Sequence, residues 1–299
     1  MNNHSDMTID TVLQAGWDDH GDRPQDVADR LAAAMHLLRS PDQVAPFVQL
    51  LTHVYGEHLG LWQPGVELLE TLRGVPAFEA STVASGALTR SIATLRYADG
   101  DVAALDALSA EDQVRALATA SSAFAARNEL TRAIDAFAEA LRTGETGLVA
   151  GSPGIRALAV GGNNLAATLE GKADRCALET QAMVTAARAA LDNWKLAGTW
   201  LEEERAHYRL ARSLLQAGDP GAAEGSARQC VQVCEQNGAP AFERFFAHAV
   251  LALASRAIGN ADAFEDQREA AMRQFGQLPE EERKWCVDEC KELDAGEAT

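Results

Sequence analysis

Four arrangements in the sequence have residue types and spacings suited to chemistry. Glu204 and His207 form an E-x-x-H spacing. A di-iron bundle needs two such motifs and two further glutamates on facing helices, and no second E-x-x-H occurs in the chain. His53 and His58 flank Tyr55-Gly56-Glu57 but stand five apart, a separation that turns two rings off a common α-helical face, and the zinc motif H-E-x-x-H is absent. Cys230-x3-Cys234 and Cys286-x3-Cys290 each put two thiols one helical turn apart. Four thiolates suit zinc or copper. Cys230, however, falls where Ala140 and Ala271 stand on comparable helices, so it reads as a small core residue. Cys176 lies near a helix start with no base beside it in sequence. Gly161-Gly162-Asn163-Asn164 is glycine-rich but sits inside a helical pattern and follows no strand, unlike a phosphate cradle. G-x-S-x-G, the P-loop and the dinucleotide fingerprint are all missing. The expectation is therefore a non-enzyme with no catalytic residues, no cofactor and no metal.

The elements that must position any site are helices. The chain has 299 residues, with 58 Ala and 33 Leu against 5 Ile and 9 Pro, a mix that favours helix over sheet. Apolar residues recur at three and four along almost the whole length. The pattern predicts helices at 24–39, 43–58, 64–73, 77–98, 101–107, 110–127, 130–143, 154–171, 174–193, 198–217, 220–236, 241–258, 261–275 and 280–293. Asp22-Arg23-Pro24, Ser40-Pro41 and Ser109-Ala110-Glu111-Asp112 read as starts, with proline or acids in the first turn. Residues 1–22 are expected to be a partly ordered segment, 23–293 a single repeat domain and 294–299 a frayed tail.

Charge and ends bound the surroundings. Twenty-six basic against 44 acidic residues leave a net charge of −18, which repels phosphate and argues against nucleic acid. The longest apolar stretch, Phe245 to Ala254, is interrupted by His248 and is too short for a bilayer. The first residues show no basic and apolar leader, and the odd count of 5 Cys fits a reducing compartment. A cytoplasmic protein without membrane contact is expected.

The turns repeat. Gly60, Gly100, Asn128, Ala173, Gly218 and Gly259 each stand between two predicted helices, at spacings of 40, 28, 45, 45 and 41. Such a period marks a helical solenoid, with the 28-residue step leaving only a truncated helix near 101–108. The segment Tyr208 to Ala223 resembles a tetratricopeptide repeat: Leu210 and Ala211 open the helix contact, Leu214 follows, Gly218 turns, and Ala223 and Ala227 pack the second helix. Ala120 to Asn128 with Ala133, Phe137 and Ala140, and Leu165-Ala166 with Leu169, match as well. The small residue before the turn is Ala93, Ser121, Ala166, Ala211 and Ala252 in five of six units. The spacing is longer than the usual repeat and is similar to that of kinesin light chains and bacterial peptide-sensing regulators. The resemblance implies an all-α, right-handed superhelical solenoid of antiparallel helix pairs, closed by the helix 280–293 as a cap.

In that superfamily the first helix of each unit lines a concave groove. Counting thirteen, ten, nine and six residues back from each turn points to Arg90, Ser91 and Thr94, to Arg115, Thr119 and Ser122, to Asn163 and Asn164, and to Arg205, Tyr208, Arg209 and Arg212. Arg90, Thr94, Arg115, Asn163, Asn164, Arg205, Tyr208, Arg209 and Arg212 are the expected peptide-binding residues. Arginine recognises carboxylates through several fixed donors, and asparagine pairs with peptide backbone. Asn164, Arg205 and Arg209 match part of a family clamp for a C-terminal carboxylate, while Ala118 and Ser122 stand where its other members would be. The expected function is a non-enzymatic scaffold holding an acidic protein or peptide segment. The alternative is a peptide- or ligand-responsive regulator acting through a partner, and a third reading is a Cys/His metal protein or enzyme.

Overall fold

The computed structural model describes residues 8–80 and 83–295. Among these residues all regular structure is helical and no strand occurs. Contacts gather into two compact units, Met1–Ala157 and Leu158–Thr299. No helix of the described residues is long and apolar enough to cross a membrane.

The first unit contains α1 (Ile9–Asp19), α2 (Pro24–Ala34), α3 (Val44–His53), α4 (Trp62–Thr71), α5 (Val83–Ala98), α6 (Ala110–Ala126) and α7 (Leu130–Gly147). α8 (Pro153–Glu170) begins in this unit, and its residues from Leu158 onward belong to the second. There follow α9 (Ala177–Ala197), α10 (Trp200–Gln216), α11 (Pro220–Gln236), α12 (Ala241–Ala257), α13 (Ala261–Phe275), α14 (Glu280–Arg283) and α15 (Val287–Asp294). Helices adjacent in sequence pack on one another, as α6 does on α7, α10 on α11 and α12 on α13.

The starts follow from local chemistry. Ser109 accepts from the Asp112 N–H at 3.2 Å and caps α6. Asp219 accepts from the Ala222 N–H at 3.1 Å, with Pro220 in the first turn of α11. The ends are uniform too. Gly60, Gly100, Asn128, Gly218 and Gly259 have positive φ, the left-handed conformation that closes a helix. Behind four of them the same pair of bonds returns. The amide after the turn residue reaches five back, as in Glu129 N–H to Phe124 O at 2.8 Å and Asp219 N–H to Leu214 O at 3.0 Å. The turn residue's own amide reaches three back, as in Asn128 to Ala125 at 3.0 Å. Gly60 differs: the Leu61 amide reaches six back, to Tyr55 O at 2.9 Å, because Val54–Leu59 is a π-helical turn.

The small positions are packing positions. Ala93, Ser121, Ala166, Ala211 and Ala252 are all buried. Ser121 adds a hydroxyl bond to the Ala133 carbonyl at 2.8 Å, joining α6 to α7. In the first unit Leu31, Phe47, Leu51, Leu69 and Leu88 form the core. In the second, Phe245, Ala252, Phe264, Cys286 and Leu293 share one cluster.

Several boundaries differ from the sequence pattern: α2 gives way to a 3-10 turn at Met35, short of residue 39, and α9 runs Ala177–Ala197 where 174–193 is expected. The helix expected over 77–98 starts at Val83 in the described residues, with 77–80 irregular and 81–82 outside them. The helix expected over 101–107 is a single 3-10 turn, Val102–Leu105. The capping helix expected over 280–293 is broken by a 3-10 turn, Lys284–Cys286, which buries Cys286 and leaves Trp285 66% exposed. Of the segment 1–22, residues 8–22 include the complete helix α1, boxed by Thr8 and Thr11 with Ile9, Val12 and Leu13 buried, and residues 1–7 lie outside the described residues. In the tail expected to fray, α15 runs to Asp294 and residues 296–299 lie outside the described ones.

Candidate functional site

α10 carries the centre of the candidate site. Its start is set by a capping box: Thr199 accepts from the Leu201 N–H, and Glu202 accepts from the Thr199 N–H at 2.8 Å. From there the helical period puts Arg205, Tyr208, Arg209 and Arg212 on one stripe, while Ala206, Leu210, Ala211 and Leu214 are buried in the core.

Three of these four residues stand in the wall of a cavity of about 400 Å³ in the second unit. Asn163 comes from α8, Phe242, Glu243 and Phe246 from α12, and Trp285 from the 3-10 turn. Arg205, Tyr208 and Arg209 complete it, with Glu204 also in the lining. Four of the nine expected binding residues, Asn163, Arg205, Tyr208 and Arg209, therefore meet around one space. Its size is that of a pocket for a small ligand or a few peptide side chains. Tyr208 meets Phe246 edge-on at a centroid distance of 5.6 Å, and Phe242 lies 5.0 Å from Phe246, so one side is aromatic.

The guanidinium groups already hold carboxylates from other helices. Arg205 forks onto Glu243 through Nη2 at 2.5 Å and Nε at 3.3 Å, and its side chain stays 58% exposed. That bond raises the affinity of Arg205 for its proton. Arg209 pairs with Glu170, which also accepts from the Ser213 hydroxyl at 2.5 Å. Arg212 forks onto Glu292 of α15 at 2.6 and 2.7 Å, outside the cavity lining. Tyr208 donates to Glu289 of α15 at 2.5 Å. Burial first, and then Glu289, pushes the Tyr208 hydroxyl well above its usual range. Sequence proximity points to Glu202, Glu203 and Glu204 as partners of this arginine face. The structure instead supplies Glu170, Glu243 and Glu292, about 40 to 80 positions away.

Glu204 is 1% exposed. Its Oε1 accepts from the Cys230 thiol at 3.0 Å, and Oε2 has no hydrogen-bond partner among the described residues. Burial, reinforced by the Glu243 carboxylate, pushes Glu204 up to about 8, so the group is largely a neutral acid at pH 7. Burial and the same Glu204 raise the Cys230 thiol well above its ordinary value. His207, the other half of the E-x-x-H spacing, faces elsewhere. It lines a separate cavity of about 370 Å³ with Arg188, Asp192 and Ser226, and its Nδ1 lies 3.3 Å from Ser226 Oγ. Burial, with Lys195, lowers it to about 4. The two motif residues open on different spaces and do not converge on one ion.

The remaining expected residues fall in three places. Asn164 is half-buried on α8 and is not part of the cavity lining. Arg90 and Arg115 lie in the first unit and meet at Asp112, at 2.7 and 3.5 Å. Burial, and then Arg90, lower the proton affinity of Arg115. Thr94 is buried, and its hydroxyl donates back to the Arg90 carbonyl of its own helix at 2.8 Å. Thr119 does likewise to Arg115 at 2.9 Å. The cysteine pairs sit in two different apolar clusters, Cys230 and Cys234 in one, Cys286 and Cys290 in the other, and all five cysteines are free thiols. Burial pushes Cys286 up to about 12.

Sequence reasoning missed the aromatic side of the cavity. The signal was present as Phe242 and Phe246 at helical spacing, but the apolar run from Phe245 hides it as ordinary core. No protein-family model and no curated protein matches this chain.

Proposed function

We propose that this chain is a non-enzymatic binding protein whose helices stack as a tetratricopeptide-like, right-handed solenoid of antiparallel pairs, and that the cavity on α10 receives a protein or peptide segment of acidic character. One observation carries the reading: Asn163, Arg205, Tyr208 and Arg209 line a single open space together with Phe242, Phe246 and Trp285. Such a wall suits a carboxylate beside an apolar or aromatic side chain. Arg205 is the principal anion donor, since it is more than half exposed even while bonded to Glu243. The neutral Glu204 adds a buried proton donor to the lining. Arg209 is committed to Glu170, so its part is to shape the wall, while Arg212, held by Glu292, lies outside the lining. The acidic charge of −18 fits a protein partner rather than nucleic acid, and a cytoplasmic setting accords with five free thiols.

The test is affinity capture from native lysate with wild type beside Asn163→Ala and Trp285→Ala. Both residues line the cavity, and Trp285 is 66% exposed, so its loss leaves the core intact. Partners recovered by wild type and lost by both variants support the proposal. Equal recovery by all three removes the cavity from consideration.

A further inference from the structure

Outside that cavity, the first unit brings three histidines together that the sequence sets apart. One ring nitrogen from each of His20, His53 and His58 lies within 4.8 Å of the others. The ring centroids are 5.0, 5.0 and 4.8 Å apart. The π-helical turn Val54–Leu59 is the cause for two of them. On an α-helix residues five apart diverge. The wider turn swings His58 back beneath His53, so that their Nε2 atoms stand 3.1 Å apart. π-turns often mark functional sites for this reason. His20 arrives from the C-cap of α1.

The proton positions are set by the outer partners. His20 Nδ1 lies 2.6 Å from the Trp17 carbonyl, which can only accept, so Nδ1 carries the proton and Nε2 the lone pair. His53 Nδ1 lies 3.1 Å from Glu57 Oε2. A carboxylate oxygen accepts a hydrogen bond. His53 Nδ1 is therefore the donor, and its Nε2 is a second lone pair. The contact between His53 and His58 then needs a proton from His58 Nε2, or a cation in place of it. With a cation, the His58 proton moves to Nδ1 and all three rings present lone pairs.

We infer that His20, His53 and His58 form a binding site for a divalent transition metal of the zinc type, with Glu57 and the Trp17 carbonyl holding the rings in the ligating tautomer. Imidazole suits zinc and its neighbours, and carboxylate or carbonyl support of the far ring nitrogen is the usual outer shell. The 3.1 Å between His53 and His58 is close to the edge of about 3.3 Å expected for a tetrahedron with zinc–nitrogen bonds of about 2.0 Å. The three rings are half-buried, so an ion has access from solvent. Three protein donors leave the fourth position to water or another exchangeable ligand. None of these residues lines the α10 cavity, so the inference stands apart from the proposed function.

The test uses the full chain, stripped of metal with a chelator and titrated with Zn²⁺ by calorimetry. Co²⁺ serves as an optical probe of coordination number. Wild type should bind one Zn²⁺ per chain, and bound Co²⁺ should show the intense visible absorption of a four-coordinate ion. His20→Ala and His58→Ala should each weaken binding at least tenfold, and Glu57→Gln about 10- to 100-fold. Trp17, 5.3 Å from both His20 and His53, should lose fluorescence on Co²⁺ binding, with Trp17→Phe as the control. A circular dichroism melt confirms that each variant is folded, and His58→Gln replaces any that is not. Stoichiometric binding retained by His20→Ala and His58→Ala, as the cysteines would give, overturns the assignment. So does wild type that binds no more zinc than the two variants.

Discussion

Glu204→Gln should stabilise the protein, and by an amount that depends on pH. The carboxyl is 1% exposed and faces Cys230, Arg205 and Glu243. Its value in the fold is about 8 against an ordinary 4.5. Between those values the folded state holds a proton that the unfolded chain has released, so stability falls as pH rises. Each pH unit in this window costs about 1.4 kcal/mol, which amounts to roughly 3 kcal/mol at pH 7 and roughly 5 kcal/mol above pH 8. Glutamine keeps the acceptor for the Cys230 thiol and removes the charge, so it escapes the penalty. The difference between the variant and wild type should be near zero at pH 4.5, grow through neutrality and level off above pH 8. His207 and Glu57, whose shifts do not involve Glu204, are common to both proteins and cancel. Urea midpoints measured at four or five values from pH 4.5 to 9 give the difference directly. A gap that stays constant with pH would show that Glu204 titrates normally and is no neutral donor in the cavity lining.

Two further substitutions test packing and charge. Ala211→Leu places three extra carbons at a fully buried contact between helices and should cost about 1–3 kcal/mol in a thermal or urea melt; an unchanged melt would mean that the repeat register is misplaced. Arg209→Ala strands Glu170, whose side chain is 8% exposed, with only the Ser213 hydroxyl among the bonds described here, and should cost about 3–5 kcal/mol. Loss of partner binding in that variant therefore has to be read against its melting temperature, whereas Trp285→Ala carries no such burden.

Much of the local architecture was legible because it is written in short-range chemistry. The left-handed turn residues Gly60, Gly100, Asn128, Gly218 and Gly259 were predicted as turns, and the five small residues before them are all buried. The stripe Arg205, Tyr208, Arg209 and Arg212 follows from helical spacing alone. What escaped depends on distant residues. The partners of the arginines come from α8, α12 and α15, and helical spacing within α10 says nothing about them. The histidine cluster escaped for a different reason. An α-helical period was applied to 53–58, and one wider turn reverses the geometry that this period predicts. The amide of Leu61, reaching six residues back instead of five, is the backbone trace of that change.

Selection from a random peptide pool tests whether the α10 cavity takes an acidic peptide segment. Immobilised wild type is exposed to the pool, and the retained peptides are sequenced at low and at high salt. Retained sequences should be rich in Asp or Glu beside an aromatic or aliphatic residue. Retention should be weaker at high salt, because exposed charges are screened. Arg205→Gln and Trp285→Ala should each lower that retention about tenfold, or about 1.4 kcal/mol, the Arg205 variant being read against its melting temperature because it also strands the buried Glu243. Retained peptides without acidic enrichment, or an unchanged set on both variants, would contradict the claim.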